Sequence, residues 1–317
     1  MSLRHVMEVY DIMDDINVDG EAIKNYLQAI NEGAEVTVET VQGDAGSTDF
    51  VQIKVPGANG KTNGGKAPTL GVVGRLGGIG ARPEVQGFVS DGDGALSAVA
   101  IAGKLLDMQL KGDTLAGDVI ISTHICPTAP TQPHDPVQFI GSPVSIGEMN
   151  RYEVNDEMDA ILSIDTTKGN IIPNHRGFAI TPTVKEGYIL RISNDLLEIY
   201  QQVTGIMPVT LPITFQDITP YGNGLYHVNS ILQPAVATDK PVVGVAITTE
   251  VPVAGSASGA SHITDIEQVV RYGIEVAKRF GHDACAFYDA EEFALIEKLY
   301  FSAKHAQTFG NAEGEEA

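Results

Sequence analysis

Apolar residues fall first at helical spacing, then in alternation, and from residue 68 onward in short unbroken runs. The segments Leu3–Met13 and Gly20–Ile30 are amphipathic at helical spacing and predict two opening helices. Glu35–Val41 and Phe50–Val55 alternate, as half-buried strands do. Pro56–Lys66 contains Asn-Gly twice and reads as a turn. Its Gly60-Lys61-Thr62 ends like a phosphate loop, but Val55 stands where the first glycine is required and no helical pattern follows. It is therefore a loop tip.

Beyond residue 68 the pattern is that of a buried α/β core. Leu70–Val73 is a strand candidate, followed by glycine-rich Gly74–Gly80 and a second candidate, Val85–Val89. Helix Ala95–Leu110 is apolar on nearly every face and so belongs in the interior. Asp118–Ser122 and Asp159–Ile164 are apolar runs of the parallel, doubly covered kind. The prolines of Cys126–Pro143 exclude helix there. Strands are expected near 177–181, 188–192, Val209–Phe215 and Pro241–Thr248, and Pro252–Ser261 reads as a flexible loop of small residues. Helices are expected from Asp195 with Glu198, over 264–280 with Thr264 and Glu267, and from Asp289 with Glu292, each pair at capping-box spacing. Strands alternating with helices predict a three-layer α/β/α sandwich around a mainly parallel sheet. Residues 1–317 form one expected domain, with 1–67 packed on the core and 310–317 a disordered acidic tail.

A hydrophobic content of 43% and a charged content of 19% exclude wholesale disorder. A net charge of −21 argues against nucleic-acid or anionic-membrane partners, whose phosphates it would repel. No apolar stretch is long enough for a membrane helix, and Met1–Asp14 lacks the core of a signal peptide. Two cysteines make no disulfide framework, so the cytoplasm is the expected compartment.

In open α/β sheets ligands bind beyond the carboxyl ends of the strands. Asp91, Asp165 and His262 fall at such ends, as do His124 and Cys126. Carboxylates and imidazoles converging there suit a hard or borderline metal ion. Taken singly, each has a plainer reading: an Asp after a strand is commonly a helix cap or turn residue. Asp91-Gly-Asp-Gly94 starts like a calcium loop but runs into apolar residues at the remaining ligand positions. For Cys126 with His124, no orienting Asn or Asp is identifiable, which counts against a thiol nucleophile.

Pro68–Gly77, Asp91-Gly-Asp-Gly-Ala95, Gly117-Asp-Val-Ile-Ile-Ser-Thr123, Ala160–Asp165 and Ser261–Asp265 together resemble, in order and spacing, the co-catalytic zinc aminopeptidase and carboxypeptidase superfamily. Glutamyl-aminopeptidase-like members are the nearest in texture, and the likeness covers roughly residues 20–280. It implies a phosphorylase/hydrolase-like core, peptide or amide hydrolysis, zinc or another divalent metal, a peptide-like or amino-acid ligand, and homo-oligomers. Asp91, Asp165 and His262 match metal ligands of that pattern. The chain departs from it at Arg75-Leu76-Gly77, where a His-x-Asp is expected, and at Cys126-Pro127-Thr128, where a Glu-Glu pair supplies the general base. Losing that base removes a step contributing about 10²–10⁴-fold.

Three readings follow. One metal is kept on Asp91, Asp165 and His262, with His124 or Cys126 as substitute ligand and Asp93, His134 or Asp135 as relocated base. Alternatively the metal and the chemistry are lost and a small acidic or peptide-like ligand binds through Arg75. The third is a structural or regulatory oligomer without a ligand.

Overall fold

The computed structural model describes residues 1–80, 87–133, 139–172, 174–220, 224–228, 230–255 and 259–310. Helices α1 (Ser2–Met13) and α2 (Gly20–Ile30) lead into the hairpin β1 (Glu35–Gly43) and β2 (Gly46–Val55). Then follow β3 (Leu70–Gly74), α3 (Asp93–Leu110), β4 (Val119–Ile125), the short pair β5 (Thr131–Gln132) and β6 (Phe139–Ile140), α4 (Ile146–Glu153) and β7 (Ala160–Thr166). The chain continues through β8 (Gly177–Ile180), β9 (Val184–Lys185), β10 (Tyr188–Ile189), α5 (Asn194–Thr204), β11 (Val242–Thr248), α6 (Ile263–Phe280) and α7 (Ala290–Leu299).

The large sheet runs β1-β2-β4-β3-β7-β11-β9-β10, with β8 also pairing β11. Its centre, β4-β3-β7-β11, is parallel, and antiparallel strands flank it on both sides. The parallel strands are buried along their whole described length, apart from the last residue of β7. That burial on both faces is why they read as unbroken apolar runs. Leu70, Val72, Ile121, Leu162, Ile164, Val243 and Val245 face a core shared with α1, α2, α3, α5 and α6. Val73, Ile120, Ile161 and Ala246 face a second core closed by turns at Phe215–Ile218 and Gln233–Val236, with α4 packed beside the latter. The second covering layer is thus only partly helical.

Several expected elements differ. Residues 87–89 form no strand, and the rest of Val85–Val89 lies outside the described residues. Val209–Phe215 is not a strand either. A single bridge joins Thr210 to Ile180, and Pro212 cannot donate to a ladder. Strand 188–192 is reduced to Tyr188–Ile189. Helix α5 is capped by Ser193, whose Oγ accepts from Leu196 N at 3.3 Å, while Asp195 accepts from Ala286 N. In α6 the N-cap is His262 and no side chain caps it. Glu267 instead takes Ser2 Oγ and Arg271. The expected tail is described only at Gly310.

Two features set the site. Chain order goes from β3 through α3 to β4, then across β3 to β7, so connections diverge around the carboxyl ends of β3 and β7. The first turn of α3 also lies directly on those ends. A Cβ at Gly94 would sit 1.8 Å from the Arg75 carbonyl oxygen and 2.6 Å from that of Ile164, so only glycine permits the approach.

Helix α1 is seated by His5, which is fully buried and 3.0 Å from the Tyr26 hydroxyl. Burial, aided by Arg4, lowers its pKa from 6.5 to about 4. The unfolded chain therefore binds this proton first, and stability falls as pH drops from about 6.5 to about 4. The Tm advantage of wild type over His5→Gln should shrink across that window and be constant above it, as followed by thermal melts.

Candidate functional site

Three acids lie at the carboxyl ends of β3 and β7. Asp91 lies in the turn Ser90–Gly92 before α3 and keeps partial solvent access. Its Oδ2 accepts the Ile140 amide at 3.1 Å and its Oδ1 the Thr166 hydroxyl at 3.2 Å. Asp165 ends the buried run of β7, accepting Thr166 N (2.7 Å) on Oδ1 and Ser230 Oγ (2.8 Å) on Oδ2. Thr166 thus ties the two carboxylates together. Burial pushes the Asp91 carboxyl up to about 6 and that of Asp165 up to about 7. Neighbouring hydrogen bonds oppose the rise, and the Asp91 charge adds to it at Asp165.

The third acid, Asp93, has no solvent access in the first turn of α3. One oxygen accepts from Lys168 Nζ, itself buried, and the other from Ser261 Oγ. Both oxygens are engaged, which leaves Asp93 poorly placed as a base for a water. His262 is exposed at the N-cap of α6, next to the Ser261 that donates to Asp93, and no hydrogen bond joins it to Asp91 or Asp165 among the described residues. Ser261 also lines a cavity of about 620 Å³ together with Met7, Glu8, Tyr10, Asp11 and Ile263.

Arg75, expected to receive a ligand, is fully buried. Its Nε lies 2.6 Å from Glu153 Oε2 and its Nη2 donates to Asn150 Oδ1. His124 completes this group: Nδ1 is 2.5 Å from Glu153 Oε1, and Nε2 accepts the Gly77 amide at 3.1 Å. That amide fixes the Nδ1–H tautomer, so neither ring nitrogen is left for a metal. Cys126 sits among Val89, Ala129 and Ile140 and donates to the Ser47 carbonyl at 3.6 Å. Burial pushes its thiol up to about 11, the chemistry of an inert cysteine.

The structure therefore brings Asp91 and Asp165 together, sets Asp93 and His262 beside them as a separate group, and spends Arg75 and His124 on packing. His134 and Asp135 lie outside the described residues. Among the described residues no three His, Cys, Asp or Glu side chains group closely enough to hold a metal ion. A zinc set of nitrogen and sulfur donors does not fit; two carboxylates with hydroxyls beside them fit a hard divalent cation completed by water. The residues not expected from sequence are Glu153, Lys168, Thr166 and Ser230. Only Lys168 left a trace, as a cation three residues beyond a strand-end aspartate.

The fold and site define a mixed α/β protein with a largely parallel central sheet and paired acids at its strand ends. The chain belongs to the family described as "Protein of unknown function (DUF1177)", whose model matches residues 39–310. No curated protein matches it. Among solved structures it is similar to a cytosol aminopeptidase from Coxiella burnetii, with 14% identity, 86% of this chain and 69% of that one covered, and a TM-score of 0.49. It is also similar to the bottromycin maturation enzyme BotP in complex with Mn, with 13% identity, coverage of 84% and 70%, and a TM-score of 0.47.

Two outcomes test the assignment of roles. Asp165 has a raised folded pKa, so its ionisation costs stability as pH rises from 3.8 to about 7. In EDTA-treated protein the Tm gain of Asp165→Asn over wild type should grow across that window and level off above it. Glu153→Ala strands Arg75 without its countercharge and should cost about 3–5 kcal/mol in denaturant melts.

Proposed function

We propose that the strand-end crevice holds one divalent metal ion on Asp91 and Asp165, and that the protein is a metallopeptidase-like hydrolase acting on peptide or amide bonds. The observation that carries this reading is the linked pair of carboxylates, both raised in pKa and with no cation bonded to either among the described residues. Two desolvated like charges are costly, and a divalent cation between them removes the cost. The order and spacing of Asp91 and Asp165 along the chain, similar to those of two ligands of the zinc peptidases, point the same way, although His262 stands outside the pair. All-oxygen donors favour Mn²⁺ or Mg²⁺ over zinc.

Bound there, the ion supplies Lewis-acid polarisation of a carbonyl oxygen. The chain's own residues orient its ligands: Thr166 and the Ile140 amide hold Asp91, and Ser230 with the Thr166 amide holds Asp165. A small peptide-like ligand has room in the cavity lined by Ser261, where Met7, Tyr10 and Ile263 suit an apolar side chain and Glu8 and Asp11 a cationic end. The alternative ligand site at Arg75 has no support, because that side chain is enclosed and paired.

Protein expressed without a metal-binding tag should take up about one equivalent of Mn²⁺ by calorimetry, as one carboxylate pair allows. Asp91→Ala should abolish uptake, together with any hydrolysis of dipeptide substrates. A wild-type protein that ignores Mn²⁺, Mg²⁺ and Zn²⁺ alike would overturn the reading.

A further inference from the structure

Lys168 lies two residues past β7, with no solvent access. Its carbonyl accepts the Val253 amide at 2.8 Å. Its Nζ donates to the Ala260 carbonyl at 3.0 Å and to Asp93, whose other oxygen receives the Ser261 hydroxyl. The Lys168 main chain thereby holds residue 253, and the ion pair holds residues 260 and 261, 260 through the ammonium and 261 through Asp93. Between these anchors, Gly255 lies against Asp91: a Cβ there would stand 1.9 Å from Asp91 Oδ1 and 2.5 Å from its Cγ. No side chain fits. At Gly259, in the same stretch, a Cβ would meet nothing within 4 Å.

We propose that Lys168, paired with Asp93, is a positioning residue for Asp91: it holds the backbone of Gly255 as a wall on the carboxylate. This rests on the role assigned to Asp91 above. The Ile140 amide and the Thr166 hydroxyl fix one edge of Asp91 each, and Gly255 closes a third direction. A buried ion pair contributes little net stability unless every partner is satisfied. Here both oxygens of Asp93 and two acceptors of Lys168 are in use. Such a pair specifies one arrangement of its surroundings, and here it fixes Ala260 and Ser261 downstream of the Gly255 that lies on Asp91.

The Ile140 amide reports directly on where Asp91 sits, with or without metal. Three variants separate the cases: Gly255→Ala, Gly259→Ala as control, and the charge-neutral double variant Asp93→Asn/Lys168→Met, which leaves no lone buried charge. Hydrogen exchange at Ile140 should quicken about tenfold in Gly255→Ala and in the double variant, with Val270 in α6 unchanged and Gly259→Ala like wild type. Mn²⁺ affinity should fall about 10–100-fold in the same two variants. Unchanged Ile140 protection in both would overturn the proposal. If wild type takes up no Mn²⁺ while Ile140 responds as expected, the metal reading falls and the positioning role stands.

Discussion

The interior of this protein carries more negative than positive charge at one place. Asp91, Asp93, Asp165 and Glu153 gather at the carboxyl ends of the parallel strands, and the fixed cations among them are Arg75 and Lys168. Burying a charge is tolerable only when it is paired and hydrogen-bonded. Glu153 takes Arg75 and Asp93 takes Lys168, at contact distance in both cases. Among the described residues Asp91 and Asp165 receive only neutral donors, so burial is left to raise their pKa values.

The same arithmetic explains how the crevice is built. Arg75 follows β3, His124 belongs to β4 and Glu153 ends α4, so one buried network ties two parallel strands to the helix crossing behind them. Lys168 and Asp93 do the equivalent on the other side, tying the end of β7 to the first turn of α3 and to the chain before α6. Between these two networks Gly94 lets α3 approach the strand ends closely. The two unpaired acids occupy the gap that is left.

Much of this was legible in the residue pattern, and the failures have physical causes. Buried parallel strands announce themselves as apolar runs, so β3, β4, β7 and β11 and the acids at their ends were found. Val209–Phe215 has strand-like composition, but Pro212 sits inside it and tertiary packing left only one bridge. Capping-box spacing at Asp195 and Thr264 did not produce caps, because Ser193 and the loop before α6 place the helix starts elsewhere. Glu153 was invisible: at the end of the amphipathic stretch Ile146–Glu153, a glutamate reads as surface. Its partners come from 75 and 124, and no local pattern encodes a contact over such separations.

Residue type alone could not have sorted the candidates. Arg75, His124, Asp93, Asp91 and Asp165 all stand at or near strand ends, where ligand sites are built. What separates them is whether the fold already supplies a partner of opposite charge. Arg75 and His124 meet Glu153, and Asp93 meets Lys168, so their polarity is consumed in holding the structure. Asp91 and Asp165 meet hydroxyls and amides that can orient a carboxylate but cannot neutralise it. An amide in place of either acid would keep one hydrogen bond and remove the repulsion. Asp118 and Asp217 are likewise buried on amides and hydroxyls alone, but each stands singly. Asp91 and Asp165 share the Thr166 hydroxyl and amide and add their charges, and that repulsion is what the proposed cation would remove.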